Sequence, residues 1–151
     1  MNEASTTVSE PEGGFSYTVP AGWSVMAFPG IQFRLVVGPA SSGFAPNINF
    51  VVEGFTGSVE DYAVAGLQGL QAAIDDVKVA DSSDFDTDSG LQGFRAVTES
   101  TQQGRALRQV FFFLPGQPGK KFVVTCSALA QDGAQHDALF DRIMRSFSVK
   151  S

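Results

Sequence analysis

The segment Arg108–Ala128, RQVFFFLPGQPGKKFVVTCSA, constrains the fold more than any other part of the chain. Two apolar runs flank a linker with two Pro-Gly pairs, the pattern of two antiparallel strands joined by a turn. Successive side chains of a strand point to opposite faces. Val110, Phe112, Leu114, Phe122, Val124 and Cys126 therefore share one face, and Phe111, Phe113, Val123 and Leu129 share the other. Both sets are apolar. An antiparallel sheet normally keeps one face wet, so this hairpin needs cover above and below and belongs near the middle of a sheet.

Two helices are available to supply that cover. Val59, Tyr62, Ala63, Gly66, Leu67, Leu70, Ala73 and Ile74 recur at spacings of three and four, which predicts a helix over Val59–Ile74. Ser58 with Asp61 three residues on matches a cap at its start, and Glu60 and Asp61 suit the N-terminal dipole. Gly66 and Gly69 weaken this helix by about 1 kcal/mol each relative to alanine, so packing must hold it, and their bareness suits close approach to a sheet. The second helix follows Asp132, read as its cap, and carries Leu139, Phe140, Ile143, Met144 and Phe147 on one side. Arg142 and Arg145 stand near its C-terminal end.

Alternation predicts the remaining strands. Phe15, Tyr17 and Val19, a Pro-Ala-Gly turn, then Trp23 and Val25 read as the entry to a pair of strands. Gln32–Val37, Asn47–Glu53, Gly93–Thr101, Arg105–Leu114 and Lys120–Leu129 follow, with short turn-like links between the last three. Residues 1–13 are small, polar and acidic and read as a flexible tether, leaving 14–151 as a single domain. The fold class is α+β, an α/β/α sandwich with a central antiparallel sheet of about six or seven strands and helices on both faces.

Charge and length exclude some functions. Ten basic against sixteen acidic residues give a formal charge of -6, and Lys and Arg are nowhere clustered, which argues against nucleic acid as a partner. No apolar run approaches the roughly 20 residues of a membrane-spanning helix. One cysteine leaves the redox compartment open.

The order of parts resembles the Mog1/PsbP-like fold family, with its bacterial DUF1795 and DcrB-like proteins and LpqN-type actinobacterial lipoproteins. The resemblance lies in GFSYTVPAGW (Gly14–Trp23), GSVEDYAVAGLQGL (Gly57–Leu70), GLQGFRAVTES (Gly90–Ser100) and ALFDRIMRSFSV (Ala138–Val149), which together reach from Phe15 to Val149. It implies the sandwich already derived and a binding or accessory role rather than catalysis. With the polar tether, it points to the soluble part of an exported bacterial cell-envelope lipoprotein, its lipid anchor upstream, with an unidentified protein partner. The alternative is a cytosolic DUF1795-type adaptor chaperone that covers apolar segments of a client. Either reading accommodates a monomer or a homodimer. Neither calls for a cofactor.

Asp84, Asp86 and Asp88 have the one, three, five spacing of a calcium loop, but Ser89 replaces the turn glycine and Arg95 the bidentate glutamate. A solvated acidic strand and turn is the better reading. Cys126 and His136 are each unique, yet Cys126 sits inside an apolar strand and His136 in the first turn of the last helix, with no third orienting group. Hence no catalytic or metal residue is assigned. The candidate binding residues are the loop aromatics Phe28, Phe44 and Phe55, which stand at element ends.

Overall fold

The phenylalanine hairpin lies at the centre of a seven-stranded antiparallel sheet. The computed structural model describes residues 5–150. In chain order the strands are β1 (Thr6–Glu10), β2 (Phe15–Val19), β3 (Ser24–Met26), β4 (Leu35–Val37), β5 (Asn47–Gly54), β6 (Lys78–Asp86), β7 (Gln92–Gln102), β8 (Arg105–Pro115), β9 (Lys120–Leu129) and β10 (Ser148–Val149). The helices are α1 (Val59–Ala73) and α2 (Asp137–Arg145), the latter preceded by a 3-10 segment, Ala130–His136. The large sheet runs β3-β4-β5-β9-β8-β7-β6, and a second sheet runs β1-β2-β10. The architecture is thus α+β, with helices on opposite faces of the large sheet.

Register decides what each face buries. Phe112 lies between Arg95 and Val124, and Phe113 between Phe94 and Val123. The Phe112 face packs with Ile48, Phe50, Val97 and Cys126 against Phe140, Ile143 and Met144 of α2 and against Phe147. The Phe113 face, with Phe111, meets Tyr62 and Ala63 of α1. Phe112 and Leu114 are fully buried, and Phe113 is 2% exposed, so the two-sided hairpin is covered on both sides.

The cover on the α2 side is not helix alone. Val8, Phe15, Tyr17 and Val19 of the small sheet complete that layer, with Tyr17 stacked on Phe50 at 4.6 Å. This corrects the reading of residues 1–13 as a tether: Thr6–Glu10 pairs with β2 from Thr6↔Val19 to Glu10↔Phe15, and Val8 is buried. The first four residues of that segment lie outside the described ones. A lone buried apolar residue leaves β1 with no alternation to read; backbone pairing with β2 makes it a strand. The Pro20–Gly22 turn likewise joins two sheets rather than a strand pair, since β2 pairs with β1 and β10 while β3 pairs with β4. The expected strand at Gln32–Val37 is confined to Leu35–Val37.

Helix α1 starts as expected, with the Ser58 hydroxyl accepting the Asp61 N–H at 3.0 Å. A Cβ at Gly66 would stand 2.7 Å from the Phe113 ring, so the bare residue is what lets the helix approach the sheet; Gly69 faces open space. The second helix departs from expectation. Asp132 does not cap it: the chain first turns through the 3-10 segment, and α2 begins at Asp137 without a side-chain cap. Ion pairs fix its seat instead. Asp137 meets Arg108 at 2.7 Å and Asp141, one turn on, meets Arg95 at 2.7 Å, each pair largely shielded from solvent.

Candidate functional site

The reactive residues do not form a site. Cys126 is fully buried in β9 on the α2 face, and burial pushes its thiol well above the ordinary range, so it stays neutral and sealed from substrate. His136 closes the 3-10 segment rather than standing in the first turn of α2, beside the Phe140 ring and with Asp132 3.7 Å from its Nε2. Asp84 and Asp86 project from the same face of an extended strand, and Asp88 follows in a turn. An extended backbone holds alternate side chains about 7 Å apart, so the convergence a calcium loop needs is missing. No cluster of three potential metal ligands occurs among the described residues.

The three loop aromatics have separate surroundings. Phe44 is half-buried beneath the Arg105 guanidinium, 5.9 Å from its ring centre. Phe55 is half-buried against Tyr62 at 5.1 Å, and Lys121 caps it, with Nζ 6.0 Å from the ring and donating to the Phe55 carbonyl at 3.2 Å. Both rings are built into the fold. Phe28 is different: it is 44% exposed and has no ring or cation partner among the described residues.

Phe28 stands over an open groove of about 490 Å³ lined by Glu10, Ile31, Phe33, Arg34 and Val52. The wall is rigid. Arg34 Nε donates to Glu10 Oε2 at 3.0 Å, its Nη2 donates to the Ser9 carbonyl at 3.0 Å, and the Val52 N–H donates to Gln32 Oε1 at 2.9 Å. Phe33 packs edge-on against Phe15 of the small sheet at 4.9 Å. An exposed aromatic thus borders an open groove whose lining is part apolar and part charged. Met26, also 44% exposed, adds apolar surface nearby in sequence. Sequence reasoning found Phe28 but not the groove, because its walls come from β1, β5 and the β3–β4 loop.

Helix α1 rests on β7 and β8 and leaves shallow grooves along both flanks. One, about 250 Å³, is lined by Tyr62, Gly66, Leu70, Phe111, Val123 and Thr125. At its head the Tyr62 hydroxyl donates to Glu53, and burial followed by this bond raises the phenol above its ordinary value. The other, about 360 Å³, is lined by residues including Val64, Leu67, Asp84, Phe94 and Phe113.

Similarity to known proteins appears at the level of structure. No family model matches the chain, and no curated protein matches it in sequence. Cyanobacterial PsbP (CyanoP) from Synechocystis sp. PCC 6803 superposes with TM-score 0.70 at 14% identity, over 97% of this chain and 92% of that one. PA94 of Pseudomonas aeruginosa, a protein of unknown function, gives 0.69 at 16%, covering 100% of this chain and 99% of PA94. LpqN, involved in cell envelope biogenesis of Mycobacterium tuberculosis, gives 0.66 at 17%, covering 99% and 92%. This chain has the Mog1/PsbP-like fold. Identities this low carry the Mog1/PsbP-like architecture and nothing finer, since one fold hosts many functions. Nor is any helix of the described chain long and apolar enough to cross a membrane.

Proposed function

We propose that the chain is a non-catalytic accessory domain of the bacterial cell envelope that holds a protein partner through the Phe28 groove, inserting the ring into an apolar part of that partner. The observation that carries this reading is Phe28 itself, a large aromatic exposed beside a partly apolar groove. Central aromatic anchors of this kind dominate binding energy at protein interfaces. The shared fold with LpqN, a protein involved in cell envelope biogenesis, supports the compartment. The sealed thiol of Cys126 supports the non-catalytic assignment.

A photo-crosslinking phenylalanine analogue at position 28 in the producing cell, with the same analogue at exposed Gln71 as control, tests the proposal. The expected result is one discrete adduct from position 28, recovered with the envelope fraction, and none from position 71. A chain confined to the cytosol, or equal labelling from both positions, refutes it.

A second reading, an adaptor that shields apolar client segments, is favoured by one feature. The α1-side face of β4, β5 and β9 is left half-exposed, with Leu35, Val37, Val51 and Val123 among its side chains. Suppression of client aggregation that is lost in Val123→Lys with folding intact would select it over the first.

A further inference from the structure

The far end of the large sheet from Phe28 carries a second, independent surface. Strand β6 is the terminal strand of the seven, nine residues long, with one backbone edge unpaired among the described residues and every residue except Phe85 exposed. Its pairing with β7 shifts register between Val79 and Asp81, leaving Asp81–Asp86 as a regular stretch. Along that stretch Ser82, Asp84 and Asp86 lie opposite Ala96, Phe94 and Gln92, on the face that carries α1. Between this strip and α1 runs the 360 Å³ groove floored by Ala63, Leu67, Phe94, Ala96 and Phe113.

Three observations say what the groove would accept. Its floor is apolar, and Val64, 51% exposed on α1, lines it, while Val79, 40% exposed, lies on the same face of β6. Its rim is acidic, with Glu60 on one side and Asp84 on the other, and Asp86 beyond. Among the described residues its one basic lining residue, Arg95, sends its side chain to the α2 face, where Asp141 at 2.7 Å and Asp81 at 3.5 Å engage it, and it does not neutralise Asp84.

A second copy is a poor occupant. Antiparallel pairing of two β6 strands about Asp84, with the α1 faces of both copies on one side, sets Asp84 against Asp84, and like charges directly opposite one another destabilise a strand pair. Acidic edges of this type serve to block self-association. The same charges attract a cationic strand.

We propose that β6 accepts an extended, cationic segment of a partner protein as an eighth strand. Its backbone pairs with the free edge, alternate apolar side chains enter the groove beside α1, and lysine or arginine side chains meet Asp84, Asp86 and Glu60. Strand addition of this kind draws affinity from main-chain hydrogen bonds and specificity from alternate side-chain pockets. The surface is separate from the Phe28 groove, so either can fail without the other.

The probe is a fluorescein-labelled octapeptide of alternating valine and lysine, with alternating valine and glutamate as control, read by anisotropy and by amide chemical shifts of the whole chain. Expected are binding by the lysine peptide alone, affinity that falls at least about tenfold from about 50 to about 500 mM NaCl, and shifts concentrated on Asp81–Asp86. The double variant Asp84→Lys, Asp86→Lys should weaken binding at least about tenfold. Three results each overturn the proposal: equal binding of the glutamate peptide, lysine-peptide shifts dispersed over the acidic surface or absent from β6, or unchanged affinity in a folded double variant. A concentration-dependent dimer with β6 amides protected also overturns it, by assigning the edge to a second copy. Because the shift map is read on the unaltered chain, a variant that fails to fold does not blunt the test.

Discussion

Replacing Gly66 and Gly69 of α1 by alanine, separately, isolates the contact that seats this helix on the sheet. Both lie in the helix interior, so both substitutions gain about the same 0.5–1 kcal/mol of helix propensity. What differs is the space. The new methyl at position 69 meets nothing within 4 Å, whereas at position 66 it lies 2.7 Å from the Phe113 ring and 3.3 Å from that ring's tip. That ring is hemmed by Tyr62 edge-on at 5.9 Å and Phe111 stacked at 6.4 Å, so it has little room to yield. Overpacking one methyl into such a site costs about 1–3 kcal/mol. Because the propensity gain is common to both, the stability difference between Gly66→Ala and Gly69→Ala is the packing cost itself. At about 2–4 °C of Tm per kcal/mol for a chain of this size, the two variants should separate by about 2–12 °C, with Gly69→Ala above the parent. Urea unfolding with a constant m-value and calorimetry both read this difference. If Gly66→Ala proves as stable as Gly69→Ala, α1 does not lie on Phe113, and the assignment of the hairpin's second face to this helix fails.

Other outcomes follow from burial. Phe28→Asp should change stability by no more than about 0.5 kcal/mol, measured by urea unfolding, because the ring is already exposed; Phe113→Ala should cost about 3–5 kcal/mol in the same assay. Cys126 should resist a disulfide-forming thiol reagent at pH 8 in the folded chain and react promptly in denaturant; rapid native labelling would contradict its sealed position. Stability should fall with rising pH from about 8.5 upward, as the unfolded chain ionises its thiol and then, near 10, its tyrosines, while the folded chain holds those protons on Cys126, Tyr17 and Tyr62. Each group contributes a slope of up to about 1.4 kcal/mol per pH unit within its window, so a flat urea midpoint between about pH 8.5 and 10.5 would refute these assignments.

The central architecture could be read from the chain because it is written in local periodicity. A period of two that is apolar in both registers, from Val110 to Cys126, demands cover on both faces, and a stripe at threes and fours after Ser58 names one of the covering elements. The short link Gln103–Gly104 takes positive φ at both residues, the geometry that closes β7 onto β8. Of the small sheet, local alternation announces only β2. β10 is two residues long and meets Ser16 and Phe15 from the opposite end of the chain, and β1 buries a single valine.

The candidate site divides along the same line. Phe28, Phe44 and Phe55 look alike in the sequence, each a lone aromatic at the end of an element. Arg105 lies far along the chain from Phe44, and Lys121 from Phe55, yet they settle those two rings into the fold; the Glu10–Arg34 pair builds a wall beneath the third. The amino-acid order by itself determined which side chains had to leave water, because alternation and helical spacing are properties of neighbours. Only tertiary structure decided which apolar groups were left without cover. That depends on the total supply of covering elements and on contacts between residues the sequence keeps far apart.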